Sequence, residues 1–158
     1  MEKTQEKIQL LLRIAHRLNE AGFEWALGAS MLLYFKGITS NFHDIDLMVA
    51  DCDTECVRTI LSEMGESCPS DSIPNPVYRA KNFMEFLIDS VEVDVMAGFA
   101  IVKDGKVFDC ALRKEQIVEK MPLETEVIPL QSPSLWCKYY RLMGRTEKAE
   151  MIENAMER

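Results

Sequence analysis

Two rhythms of apolar positions run along this chain. At the start, Ile8, Leu11, Leu12, Ile14, Ala15 and Leu18 recur at helical spacing, predicting an amphipathic helix over residues 4–21 that closes near Gly22. Residues 23–27 then read as a short strand, Gly28-Ala29-Ser30 as a small-residue turn, and 31–35 as a helix ending about Gly37. After a polar loop at 39–43, Ile45–Val49 reads as a strand with Asp44 at its entrance, and residues 53–64 as a helix stopped by Gly65. Residues 66–76, rich in Pro and Ser, read as a loop, and 77–88 as strand material turned by Asp89-Ser90. Val91, Val93 and Val95 then alternate with Glu92, Asp94 and Met96, the period of a strand with one polar face.

Beyond Gly98 the pattern weakens. It supports a strand near Val107-Phe108, a helix near 112–119 and a last strand over Glu126–Leu130. The end is sharper. Ser132 is placed to cap a helix with Pro133 at its first position and Gly144 as its stop, and a final helix covers 146–156. Helices interleaved with strands in the first half, with helices last, predict a mixed α/β (α+β) layer domain. No Pro/Gly-rich linker divides the chain, so residues 1–158 read as one domain.

Composition narrows the function classes. The chain has 158 residues, 47% apolar and 28% charged, enough for a folded core. No stretch reaches the ~20 apolar residues of a membrane span, and the N-terminal Met-Glu-Lys-Thr-Gln-Glu-Lys is unlike a signal peptide. The net charge of −8, with no basic stripe, argues against a nucleic-acid partner. The cysteines at 52, 56, 68, 110 and 137 lack zinc spacing and read as reduced, small buried hydrophobes in a cytoplasmic protein.

Candidate chemistry centres on Asp44 and Asp46. Two residues apart in a strand, they project from one face while Ile45 points to the other. Asp94 repeats the apolar-acid-apolar pattern in the later strand, with Glu92 on the same face. If the two strands are neighbours, three carboxylates converge. Oxygen-only ligands of that kind suit Mg²⁺, or Mn²⁺, with water and phosphate completing the shell. Gly28-Ala29-Ser30, between a strand and a helix, could offer backbone amides and a hydroxyl to phosphates, with glycine permitting close approach.

The pattern apolar-Gly-small-Ser, then Asp-apolar-Asp, then a later apolar-Asp-apolar resembles the nucleotidyltransferase superfamily. The segment "IPLQSPSLWCKYYRLMGRTEKAEMIE" is similar to the C-terminal helices of small bacterial members, including antibiotic nucleotidyltransferases and AbiEii-type toxins. The resemblance implies a small mixed β-sheet flanked by helices, with a core at about 23–130 and a helical part at about 131–158. It implies transfer of a nucleoside monophosphate from an NTP to a hydroxyl, with pyrophosphate released. Asp44, Asp46 and Asp94 would be catalytic and metal-binding; Gly28, Ala29, Ser30 and Lys138 would bind nucleotide, with Arg145 the other matching tail position. The tail departs from the family pattern where Arg145 is followed by Thr-Glu-Lys-Ala-Glu rather than by a closing aspartate.

The alternative on the same fold is a non-catalytic nucleotide- or protein-binding module of toxin–antitoxin type. The acceptor hydroxyl is unassigned, and a homodimer is compatible with a chain this short around a cleft. Trp136, Tyr139 and Tyr140 read as core, His43 as a solvated loop residue, and Asp51-Cys52-Asp53 as loop and helix cap.

Overall fold

The computed structural model describes residues 2–68, 78–79 and 82–157; side chains are described for the same residues except 2, 78, 79 and 82. Most of the loop expected over 66–76, and residues 77, 80 and 81 of the strand material expected over 77–88, lie outside the described residues. The element order is α1 (Glu2–Ala21), β1 (Trp25–Gly28), α2 (Ala29–Phe35), β2 (Ile45–Val49), a 3₁₀ turn at Asp51–Asp53 and α3 (Thr54–Met64). Then come β3 (Glu66–Cys68), β4 (Tyr78–Arg79), β5 (Asn82–Ile88), β6 (Val91–Ala97), β7 (Ala100–Lys103) and β8 (Lys106–Asp109). A 3₁₀ turn at Lys114–Gln116, β9 (Glu119–Leu123), β10 (Glu126–Leu130), α4 (Pro133–Met143) and α5 (Thr146–Met156) complete the chain.

One mixed sheet of seven strands, ordered β3-β5-β6-β2-β1-β10-β9, forms the floor; β4, β7 and β8 make a small second sheet. β2 runs antiparallel to β1 and parallel to β6, and β6 is antiparallel to β5. The architecture is the mixed α+β layer that the apolar pattern implies. Period-2 alternation decides which side chains go inward: Val91, Val93, Val95 and Ala97 are buried, while Glu92 is exposed and Asp94 and Met96 are half-buried. Leu47, Val95 and Met84 stand in register across three strands, and Arg58 of α3 donates to the Met84 sulfur at 3.3 Å, so this row lies under α3. From α1, Leu10, Leu11, Ile14, Ala15 and Leu18 join the same core.

Several expectations need correction. The helix expected near 112–119 is a 3₁₀ turn followed by an edge strand, whose Pro122 forgoes an outward donor. Residues 66–68 pair with β5 instead of looping. Gly65 is extended (φ −167°), and a Cβ there would meet the Leu87 carbonyl at 2.5 Å, so close strand approach, not helix termination alone, requires glycine. Asp53 precedes α3, but its side chain makes no capping bond; Thr54 closes the turn by donating to the Asp51 carbonyl at 2.8 Å. Cys110 and Cys137 are buried hydrophobes as expected, whereas Cys52 and Cys56 are exposed. The C-terminal signals match: Ser132 accepts from the Leu135 amide at 3.0 Å, and Gly144 ends α4 in the left-handed region at φ +81°. Among the described residues no helix is long and apolar enough to cross a membrane.

Candidate active site

The parallel pairing of β2 with β6 places Asp46 directly opposite Asp94. Directly opposite residues in a sheet share a face, so the two carboxyl groups are lateral neighbours. Asp44 leads into β2 one step further along, where Glu92 lies beside it, and the two carboxyl groups share a hydrogen bond. Next across the sheet Glu85 of β5 stands opposite Asp94. The result is a row, Asp46–Asp94–Glu85, with Asp44 and Glu92 along one edge. All these side chains are exposed or half-buried, on the face opposite the Leu47–Val95–Met84 row.

Crowding of like charges on a partly desolvated surface has a measurable consequence. Burial first, then Asp94 and Asp44, push the Asp46 carboxyl up to about 8, with Lys148 and Arg145 opposing. Burial, then Asp44, Glu85 and Glu92, push Asp94 up to about 7. Glu92 is raised as well, first by the charge of Asp44 and by their hydrogen bond. Left to the protein's own groups, both Asp46 and Asp94 hold protons near neutral pH. A divalent cation over this row would displace those protons and be strongly stabilised.

Among the described residues, the cationic groups that act on the row stand at its Asp46 end. Antiparallel pairing puts Gly28 opposite Asp46, so the turn into α2 emerges beside the aspartate. Ser30 there accepts a hydrogen bond from the Lys148 ammonium of α5 at 3.0 Å, close to the Tyr140 hydroxyl. Arg145 and Lys148 lie over the Tyr140 ring, 5.1 and 5.7 Å from its centroid. Tyr140 is buried, as core packing predicts, yet burial and the Asp46 charge push its hydroxyl up to about 12, so it remains a hydrogen-bond donor. Burial and Arg145 lower the Lys148 ammonium, while Asp46 supports it.

Lys138 is not brought to this group. It is exposed on α4, and its charge bears on Cys110, not on Asp46. Lys148 is the lysine that the sequence reading missed. It follows Arg145 by three residues at the start of a helix, a spacing that puts both on one side. Glu85 was also missed, because the Pro-rich stretch before it obscured where the strand begins. His43 is exposed, as a loop histidine should be.

Gly28 has a packing role as well. A Cβ there would lie 2.6 Å from the Trp136 ring and 2.8 Å from the Gln131 amide oxygen, so the space beside it is filled by protein. Trp136 is fixed in turn by donating to Gln131 at 2.7 Å. The strained position is Ala29, at φ +55°, a conformation that a non-glycine residue adopts at a cost. α2 has only seven residues, which makes its end a modest anion site; side chains carry the positive charge here.

Among the described residues no three acidic, histidine or cysteine side chains close into a metal cage. The donor set nonetheless fits Mg²⁺, which is usually held by one or two carboxylates with substrate phosphates and water as the rest of its shell. Asp46 and Asp94, with Asp44 adjacent, supply that partial set.

A mixed sheet carrying two in-register aspartates beside a Gly-Ala-Ser turn, closed by C-terminal helices, is the nucleotidyltransferase fold. A Thermotoga maritima protein, TM1012, provisionally assigned as a nucleotidyltransferase, matches with TM-score 0.76 and 23% identity over 97% of this chain and 94% of that one. ANT(2″)-Ia in complex with adenylyl-2″-tobramycin matches with TM-score 0.64 and 11% identity over 96% of this chain and 90% of that one. The solution structure of the antibiotic-resistance factor ANT(2″)-Ia matches with TM-score 0.59 and 15% identity over 99% and 93%. At these identities the likeness establishes the fold. No curated protein matches the chain's sequence. A family model described as "Far upstream element-binding protein, C-terminal" matches residues 135–158, a stretch confined to the two last helices.

Proposed function

We propose that the protein transfers a nucleoside monophosphate from an NTP to an acceptor hydroxyl and releases pyrophosphate. The observation that carries this reading is the register of Asp46 against Asp94, with Lys148, Arg145 and Ser30 at the Asp46 end. A triphosphate needs cations where its charge is densest and carboxylates where Mg²⁺ is shared. Asp44, Asp46 and Asp94 would hold Mg²⁺ or Mn²⁺, which would neutralise phosphate charge and favour the ionised acceptor oxygen. Lys148 and Arg145 bind the β- and γ-phosphates, Lys148 leaving Ser30 for a phosphate oxygen while the Ser30 hydroxyl and the Gly28–Ala29 turn hold the other side. The acceptor oxygen attacks the α-phosphorus in line, the bond to the β-phosphate bridging oxygen breaks, and Asp94 takes the hydroxyl proton. Asp94 stands directly opposite Asp46, where it can orient the acceptor hydroxyl and take its proton.

Incubation with each labelled NTP, Mg²⁺ and a panel of hydroxyl acceptors tests the reading. The expected result is metal-dependent pyrophosphate release that is lost in Asp46→Asn. Saturable nucleotide binding without turnover on any acceptor would favour a binding module instead.

A further inference from the structure

The three proposed metal ligands are not held alike. Asp46 and Asp94 stand opposite each other inside the sheet, where neighbouring strands fix both backbones. Asp44 stands just outside it: the register of β2 against β6 begins at Ile45, and that against β1 ends with Gly28 opposite Asp46. Its place depends instead on the strap of residues 36–44 that leaves α2. Between 40 and 43, Ser40, Asn41 and His43 are exposed, and Phe42 is buried, 5% exposed. Phe42 precedes Asp44 by two residues, a span too short to absorb a displacement, so Asp44 follows wherever Phe42 is held.

Phe42 is held from two sides. Its ring packs against Tyr34 of α2, with centroids 5.0 Å apart. From α1, the Lys7 ammonium donates to the Phe42 carbonyl at 2.9 Å, and the same ammonium lies 5.2 Å from the centroid of the Phe42 ring. Lys7 is half-buried, and the ion pairs formed by Lys and Arg among the described residues leave it out. A lysine that served only solubility would keep its head in water or on a surface carboxylate. This one commits its charge to a main-chain carbonyl on the strap, and a charge-assisted bond of that kind is stronger than a neutral one.

Resting on the transferase reading, we propose that Lys7 is a positioning residue for metal binding: it clamps Phe42 by ring and carbonyl and so keeps Asp44 beside Asp46 and Asp94, ready for a divalent cation. Asp44 needs such a tether. Its charge bears on Asp46, Glu92 and Asp94, so before a cation arrives the strap is pushed away from the row. In this role Lys7 acts through Phe42 and touches neither metal nor nucleotide. The role has a sign opposite to that of plain electrostatics. Removing a positive charge near a cation site strengthens cation binding by Coulomb's law. Removing a clamp weakens it, because the metal must then order Asp44 itself.

Mn²⁺ binding to the full chain with a non-hydrolysable NTP, followed by electron paramagnetic resonance, tests this without turnover. Lys7→Met keeps the apolar stem and loses charge and donor; it binds Mn²⁺ about tenfold more weakly, the low end of what loss of a ligand's supporting partner does. Lys7→Arg, which retains both, restores wild-type binding. Lys7→Gln, a donor without the charge, falls between, and is the variant to read should Lys7→Met not fold. In an Asp44→Asn background Lys7→Met has no further effect, because the ligand it positions is gone. Mn²⁺ binding to Lys7→Met as tight as wild type or tighter, a loss that Lys7→Arg does not restore, or an undiminished loss in the Asp44→Asn background overturns the proposal and leaves the transferase reading standing. A lowered melting temperature with Mn²⁺ affinity kept marks a structural lysine and overturns it as well. If the wild-type chain with the nucleotide takes up no Mn²⁺, the transferase reading fails and takes this proposal with it.

Discussion

The two faces of β2 and β6 use the same backbone for opposite purposes. Inward, Ile45, Leu47, Val49, Val93, Val95 and Ala97 are essentially sealed from water and hold the sheet to its helices. Outward, one residue further along each strand, Asp44, Asp46, Glu92 and Asp94 repel each other, and the cost shows in the raised proton affinities of Asp46, Glu92 and Asp94. A face built for stability would not gather these groups. The sheet therefore stores unfavourable electrostatics on one side and secures it with packing on the other, as enzymes do at sites that must bind charge.

Replacing one residue on each face should separate the two roles, with the largest effect at Asp46. Asp46→Asn should lower nucleotidyl transfer about 10³-fold or more, because a charge that stabilises the transition state is lost. The same change should raise the melting temperature of the ligand-free protein at pH 8.5. If activity and stability fall together, the acidic face is structural and the contrast fails. Leu47→Ala should do the reverse. Leu47 is fully buried, so the cavity should cost about 2–5 kcal/mol in denaturant unfolding, with near-normal KM for NTP in the fraction that remains folded.

The raised groups also predict a pH dependence with a definite sign. Asp46 at about 8 and Asp94 at about 7 both lie above the ordinary 3.8. Between these limits the folded state keeps protons that the unfolded chain has released. Stability should fall as pH rises from about 4 to about 8, by a few kcal/mol at most after structural relaxation, and level off above. Mg-NTP should flatten the fall, because cations replace the protons. Melting curves across pH with and without Mg-NTP measure this; a flat ligand-free profile would mean that the carboxylates are solvated and independent.

How much of this was legible in the sequence depends on the range over which each feature is fixed. The faces of Asp44, Asp46 and Asp94 follow from strand alternation, which is local, so the row could be anticipated once β2 and β6 were taken as neighbours. The caps of α4 were equally local. The hairpin β7–β8 carried a readable signal in Asp104-Gly105, whose positive φ values suit its turn, but short flanking strands hid it. Lys148 could not be placed from its neighbours, because its contact with Ser30 spans 118 residues and depends on how α5 crosses α2. Nor could the reason for Gly28, since Trp136 arrives from α4 only in the folded chain.

That contact gives the next smaller effect. Gly28→Ala should cost about 1–3 kcal/mol, because a methyl group would meet an immobilised indole and the Gln131 amide. If the glycine serves packing, Trp136→Leu in the same chain should recover part of that stability. If it serves close approach of a phosphate, the second change should not help, and the loss would appear in KM for NTP.

The smallest effect sharpens the comparison between the ends of the C-terminal helices. Lys138 was the lysine expected at the nucleotide, but it sits exposed beside Cys110, whereas Lys148 is held by Ser30 and Tyr140 within the field of Asp46. Lys148→Ala should raise KM for NTP about tenfold, the loss of one charge-assisted phosphate contact, with a smaller change in kcat. It should leave the fold intact, because Lys148 is half-buried and lies outside the hydrophobic core. Lys138→Ala should leave both constants near wild type. The reverse ranking would place the triphosphate on the far side of α4, away from the in-register aspartates, and the donor end of the site would have to be redrawn.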